Sequence, residues 1–112
     1  MKYKTALSLA LAIFTSGFLF TSAGAGDAAA GKTKAAQVCQ TCHGMDGIGI
    51  VPMAANLAGQ QDIYLVEQLQ AFKTGKRKHE QMNIIAGMLS ADDIDNVAAW
   101  YSGLKITVEM PQ

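Results

Sequence analysis

The sequence is poor in large side chains and in patterns typical of β-structure. It has no internal repeat, and no strand-like segment is longer than residues 106–108. Beyond residue 25 the aromatic residues are only Tyr64, Phe72, Trp100 and Tyr101. A domain this small with so few large side chains has a thin core and usually needs an additional stabilising group. The composition therefore predicts one small all-α domain whose interior is completed by a bound group.

Charged residues are few and balanced. The chain has nine basic and nine acidic residues, a net charge of zero with histidine neutral. If an N-terminal segment carrying Lys2 and Lys4 is removed, seven basic residues remain against nine acidic ones, a net charge of minus two. This balance does not indicate a nucleic-acid partner.

Only two cysteines are present, in the run Cys39-Gln40-Thr41-Cys42-His43. The spacing C-x-x-C-H is typical of covalent haem attachment. Two thiols one helical turn apart can each add to a vinyl group of haem, and the next side chain, an imidazole, then lies under the iron. The motif therefore predicts one haem c per chain, bound through Cys39 and Cys42, with His43 as an iron ligand.

Three other interpretations of the cysteines are weaker. A structural zinc site needs four Cys or His ligands, and outside the motif only His79 remains, in a charged stretch. A thioredoxin-like pair needs a preceding strand, but the flanking sequence is helical in character. A disulfide between Cys39 and Cys42 would close a loop too small to constrain the chain.

Residues 1–25 have the features of a secretory signal peptide. Lys2 and Lys4 precede an uncharged apolar segment that ends in Ala23-Gly24-Ala25, a suitable cleavage site. A retained membrane anchor is the competing interpretation, but the apolar core is short and is interrupted by residues 15–17. We therefore expect export to the periplasm, a mature domain spanning residues 26–112, and no stable membrane insertion after cleavage.

Helical periodicity dominates this domain. Helices are predicted over residues 28–41 and 62–73, a short one over 83–88, and a final one that begins with a capping box at Ser90 and Asp93. Residues 44–59, rich in glycine, are predicted to form a loop. The basic segment 73–78 and His79 are predicted to be solvated, and the segment is able to steer an acidic partner.

The chain resembles the class I c-type cytochromes, in particular the short bacterial monohaem kind that also forms each half of dihaem cytochromes. The matching residues are Gly31, Cys39-Gln40-Thr41-Cys42-His43-Gly44, Asp46-Gly47, Leu57-Ala58-Gly59-Gln60, Tyr64-Leu65, Gln68-Leu69, Phe72, Gly75, Arg77, Met82, Leu89-Ser90 and Ala98-Ala99-Trp100-Tyr101. The resemblance implies a cytochrome c fold of three to five helices around the haem. It also implies that the last helix crosses Gly31 closely, with Trp100 or Tyr101 at the crossing. Ala35 departs from the family, where a bulky aromatic residue is common.

The family's distal iron ligand is a methionine, and the resemblance places it at Met82. Met88, one or two helical turns onward, is the main rival. Either methionine also suits a position in the apolar core. Pro52 matches the family proline whose carbonyl accepts a hydrogen bond from the ligating histidine, here His43.

The predicted function is electron transfer by a haem iron with histidine and methionine ligands, without enzymatic activity. The expected partners are redox proteins: respiratory membrane complexes, dehydrogenases or terminal oxidases. Two alternatives stay open. In the first, the chain is a haem-c subunit of a larger oxidoreductase. In the second, it is a haem sensor or a haem enzyme in which the sixth iron position is open.

Overall fold

The computed structural model describes residues 26–112, so the predicted signal peptide lies outside the described residues. Within this range the chain forms five helices and no strand, which confirms the all-α prediction. The helices are α1 (Ala28–Val38), α2 (Gln40–His43), α3 (Asp62–Lys73), α4 (Glu80–Met88) and α5 (Ala91–Ser102). None of the helices in residues 26–112 has the length and apolar character needed to cross a bilayer.

Two helix boundaries differ from the sequence-based prediction. The first predicted helix is divided at Cys39, so that the haem motif forms a separate short helix, α2. The helix predicted over residues 83–88 begins three residues earlier, at Glu80. The cause is the side chain of His79, which accepts a hydrogen bond from the Met82 N–H and thereby caps α4.

The first and last helices cross at Gly31, as predicted. A Cβ added at Gly31 would overlap the backbone carbonyl of Asn96 and would lie 3.1 Å from the Trp100 Cβ. Glycine is therefore required because any side chain would push α1 away from α5. The aromatic residue at the crossing is Trp100, which packs against the buried cluster that contains Ala35.

The beginning of α5 is stabilised by the predicted capping box. The Ser90 hydroxyl accepts a hydrogen bond from the Asp93 N–H, and the Asp93 carboxylate accepts one from the Ser90 N–H, both at 3.0 Å. These two bonds satisfy backbone donors that a helix start otherwise leaves free. The carboxylate also forms an ion pair with Lys34 of α1 at 3.2 Å, which links the first and last helices.

The buried face of α5 forms the centre of the core. Ile94, Val97, Ala98 and Tyr101 are buried, with exposures of 3% or less. Tyr101 reaches across the fold, and its hydroxyl donates a hydrogen bond to the Gly44 carbonyl at 2.9 Å. This contact ties the last helix to the residue that follows the C-x-x-C-H motif. The core thus positions the motif rather than merely stabilising the chain.

Candidate functional site

A cavity of about 390 Å³ lies beside the motif. The five residues predicted to form the haem site line it: Cys39, Cys42, His43, Pro52 and Met82. Much of the remaining wall is apolar and comes from the 44–59 loop, α3, α4 and α5, including Leu57, Leu65, Leu69, Phe72, Ile85 and Val97. The arrangement is an apolar crevice with sulfur and imidazole groups at its wall.

The short helix α2 presents the motif to this cavity. The His43 N–H donates to the Cys39 carbonyl at 3.0 Å, which holds the motif in a single helical turn. Gly44 then ends the helix with a φ of 71°, a conformation that glycine adopts without strain. Both cysteines are half-buried and carry free thiols. A single turn thus aims two thiols and one imidazole at the same space.

Burial raises the pKa of the Cys39 thiol to about 11. At neutral pH this cysteine is therefore protonated, since desolvation penalises the thiolate. A neutral thiol is a poor metal ligand and a slow disulfide partner. Among residues 26–112 no group of three or more His, Cys, Asp or Glu side chains is arranged to hold a metal ion.

The ring orientation of His43 is set by a backbone carbonyl, but not by the one that was predicted. His43 Nδ1 lies 2.8 Å from the carbonyl oxygen of Ala55. A carbonyl only accepts, so Nδ1 carries the proton and Nε2 keeps its lone pair for a metal. The prediction that the Pro52 carbonyl accepts this bond is wrong, although Pro52 lines the cavity.

The path of the 44–59 loop explains why Ala55, and not Pro52, supplies the acceptor carbonyl. Met53 has a φ of 70°, and the Ala54 N–H donates to the Val51 carbonyl at 3.1 Å, so the chain reverses just after Pro52. This turn carries the Ala55 carbonyl to the imidazole of His43. A left-handed methionine is uncommon and gives no signal in the sequence.

The methionines are distributed unequally around the cavity. Met82 lies in the first turn of α4, is half-buried and lines the cavity. Met88 is at the end of the same helix, is 61% exposed and does not line it. Met53 is at the rim and is 93% exposed. The geometry therefore brings Met82, and not Met88, into the same cavity as His43.

Two residues near Met82, His79 and Asn83, have roles that the sequence did not indicate. His79 is exposed, as predicted, but its Nδ1 also accepts from the Met82 N–H at 3.3 Å. Asn83 bridges the loop between α3 and α4. Histidine is not a common helix-capping residue, and the partners of Asn83 depend on the tertiary structure, so neither role had a sequence signal.

The basic residues at the end of α3 and in the loop before α4 have two different roles. Arg77 lines the cavity, where its guanidinium carbon lies 4.5 Å from the Phe72 ring centre and its Nη1 donates to Gln68 at 2.6 Å. Lys73 instead points to the end of α4 and donates to the Gly87 carbonyl at 3.2 Å and to the Leu89 carbonyl. Arg77 is therefore a cation held at the cavity by two side-chain partners.

The residues present fit a covalently attached haem. Two free thiols with C-x-x-C spacing, an imidazole with Nε2 available, a thioether and apolar walls surround a single cavity. The thiols suit attachment to the vinyl groups, and the two axial donor types are those of electron-transfer haem proteins. A haem in this cavity would also supply the apolar surface that a small domain with few large side chains lacks.

Comparisons with known proteins define the class. The family model for cytochrome c matches residues 28–105, and the chain belongs to this family. The family carries a covalent haem c, and Cys39 and Cys42 are the cysteines of its attachment motif in this chain. The fold and the family prediction are thereby confirmed.

Individual relatives refine this assignment. Cytochrome c4 of Pseudomonas aeruginosa is 41% identical over 98 residues, covering 88% of this chain and 48% of that protein. Cytochrome c-554(548) of Halomonas halodenitrificans is 43% identical over 81 residues, covering 70% of this chain and 96% of that protein. The crystal structure of reduced recombinant cytochrome c4 from Pseudomonas stutzeri matches with a TM-score of 0.68 at 41% identity, over 75% of this chain and 48% of that one.

A further relative is described as a thiosulfate dehydrogenase electron acceptor, from Thiomonas intermedia. It is 41% identical over 97 residues, covering 85% of this chain and 43% of that protein. The chain thus spans about half the length of its cytochrome c4 relatives and nearly the full length of cytochrome c-554(548).

Proposed function

We propose that this chain is a periplasmic electron carrier with one haem c, in which His43 and Met82 are the axial ligands of the iron. The observation that carries the proposal is that α2 and α4 bring His43 and Met82 into the same cavity as both thiols. A bound haem supplies one-electron chemistry between ferrous and ferric iron. When both axial positions are occupied, no open position remains for a substrate, which favours electron transfer over catalysis.

The residues of the chain have distinct tasks in this proposal. Cys39 and Cys42 hold the haem covalently, and the Ala55 carbonyl fixes the His43 ring through Nδ1 at 2.8 Å. A fixed ring and a hydrogen-bonded N–H make imidazole a better and more basic ligand. The Met82 thioether is a neutral ligand that favours ferrous iron and therefore raises the reduction potential.

The ligand assignment is tested by a pair of methionine variants. We expect the exported wild-type protein to show the near-infrared band of methionine bound to ferric iron. Met82→Ala should lose this band, bind carbon monoxide rapidly when reduced, and have a lower reduction potential. Met88→Ala is the matched control and should behave as wild type, because Met88 is exposed and lies outside the cavity. The opposite pattern would assign the ligand to Met88. If the wild-type protein lacks the band and binds carbon monoxide freely, the open-site alternative is supported.

The periplasmic location rests on the pattern of residues 1–25 and on the haem motif. If this segment is a signal peptide, the exported protein begins close to residue 26. Its intact mass should therefore correspond to residues 26–112 plus one haem. A mass that includes residues 1–25 would indicate a retained anchor.

For the electron donor we propose a dehydrogenase. The similarity to the Thiomonas intermedia protein, described as an electron acceptor of thiosulfate dehydrogenase, supports this class of partner. Stopped-flow reduction of the ferric protein by a purified thiosulfate dehydrogenase tests the idea. Saturable reduction supports a carrier role, whereas co-purification in a stable complex would support the subunit alternative.

A further inference from the structure

The first turn of α4 carries Met82 and is held by hydrogen bonds to the elements that precede it. α4 has nine residues, and Met82 is the third of them. A thioether is uncharged, so it binds iron weakly unless the protein holds it close. The position of this one turn therefore decides how well the methionine is presented, an argument that rests on the proposed Met82 ligation.

Asn83 connects this turn to the elements around it. Its side-chain amide nitrogen donates to the Phe72 carbonyl at 2.6 Å and to the Arg77 carbonyl at 2.8 Å. Its side-chain oxygen accepts from the His79 N–H at 2.8 Å. One half-buried amide thus joins the end of α3, the loop between α3 and α4, and the cap residue of α4.

The third contact leads directly to the methionine. His79 is held by Asn83 and caps the helix by accepting from the Met82 N–H at 3.3 Å. If Asn83 is lost, the His79 backbone and two carbonyls lose their partner together. The cap and the first turn are then free to move away from α3 without unfolding the rest of the domain.

We propose that Asn83 is the positioning residue that holds the Met82 thioether toward the haem iron. Asn83 does not line the cavity, so it acts through the backbone and not by contact with the haem. The side chain has the size and the two donor hydrogens needed to satisfy both carbonyls at once. Serine or alanine at this position lacks this double donation.

The same helix offers a matched control at its other end. The Lys73 ammonium donates to the Gly87 and Leu89 carbonyls and fixes the end of α4 to α3. Lys73 likewise does not line the cavity. Removing it with Lys73→Met also deletes two side-chain hydrogen bonds to backbone carbonyls, but leaves the first turn and Met82 in place.

The experiment uses the full exported holoprotein in four forms: wild type, Asn83→Ala, Lys73→Met and Met82→Ala. The near-infrared band of the ferric form is followed against temperature, together with far-ultraviolet circular dichroism. The rate of carbon monoxide binding to the ferrous form is measured at 25 °C. Global unfolding in urea gives the stability of each variant.

We expect Asn83→Ala to lose the near-infrared band at a temperature where its helices are still intact. Its carbon monoxide binding should be about 10- to 100-fold faster than in wild type, since hydrogen bonds holding the closed turn are lost. In Lys73→Met the band should disappear only with global unfolding, even if the variant is equally destabilised in urea. This difference separates positioning of the ligand from general stability.

Each other result overturns the inference. If Asn83→Ala retains the band until it unfolds, or if Lys73→Met opens the iron equally, Asn83 has no special role although Met82 remains the ligand. If Asn83→Ala does not accumulate, Asn83→Ser is judged by the same criteria. Loss of both variants while Lys73→Met accumulates would show that Asn83 serves the fold alone. A wild-type protein that resembles Met82→Ala in both measurements refutes the proposed ligation instead.

Discussion

Adding one methyl group at Gly31 should destabilise the protein strongly. A Cβ at this position would overlap the Asn96 carbonyl and lie 3.1 Å from the Trp100 Cβ. Carbon atoms in contact are normally about 3.5–4.0 Å apart, so α1 must move from α5 by on the order of an ångström. The neighbour is helix backbone, which cannot rotate away as a flexible side chain can.

The expected change in the free energy of unfolding of Gly31→Ala is the sum of two opposing effects. Overpacking a tight site costs about 3 kcal/mol at the upper end of the usual range. Alanine has a better helix propensity than glycine, which offsets about 1 kcal/mol. We therefore expect Gly31→Ala to lower the free energy of unfolding by about 2 kcal/mol.

Gly87 provides the matched control because it is also a helical glycine. A Cβ added there meets nothing within 4 Å. Only the propensity effect remains, so Gly87→Ala should be neutral or stabilise the protein by up to about 1 kcal/mol. The free energies of unfolding of both holoproteins are measured in urea by circular dichroism. Equal effects of the two substitutions, or a neutral Gly31→Ala, would refute the argument from the helix crossing.

Two further contacts yield predictions, each measured by urea unfolding of the holoprotein. Tyr101→Phe should destabilise by about 1–2 kcal/mol, because it removes a buried donor and leaves the Gly44 carbonyl without its partner at 2.9 Å; no loss of stability would show that the bond is dispensable. The hydrogen bond from the Ser90 backbone, with a smaller contribution from Lys34, lowers the pKa of Asp93. A lowered pKa stabilises the fold above the unfolded-state value of about 3.9, and this stability is lost as pH falls through the folded value. Asp93→Ala should therefore be less stable than wild type at pH 7, with a difference that shrinks below about pH 4; a difference that is constant with pH would contradict the role of the carboxylate charge.

Sequence patterns predicted the parts of the fold that depend on local chemistry. The periodic apolar residues of α3 and α5, and the capping box at Ser90 and Asp93, are visible in short stretches of sequence and are present in the structure. The requirement for glycine at residue 31 was implied by resemblance to the family, and the close approach of Asn96 gives it a physical basis.

The features that were missed depend on contacts between distant residues or on rare backbone conformations. The acceptor for His43 is Ala55 and not Pro52 because Met53 adopts a positive φ and turns the chain. The early start of α4 depends on capping by His79, an uncommon capping residue. The motif thus predicted the chemistry of the site, while the paths of its loops required the structure.

Whether the chain carries a haem bound through both sulfurs is tested by one combined measurement. Protein exported from cells able to mature c-type cytochromes is analysed by intact mass and by the pyridine haemochrome spectrum. We expect a mass equal to the processed polypeptide plus one haem, and a spectrum typical of two thioether links. A colourless product with the mass of the polypeptide alone would contradict it.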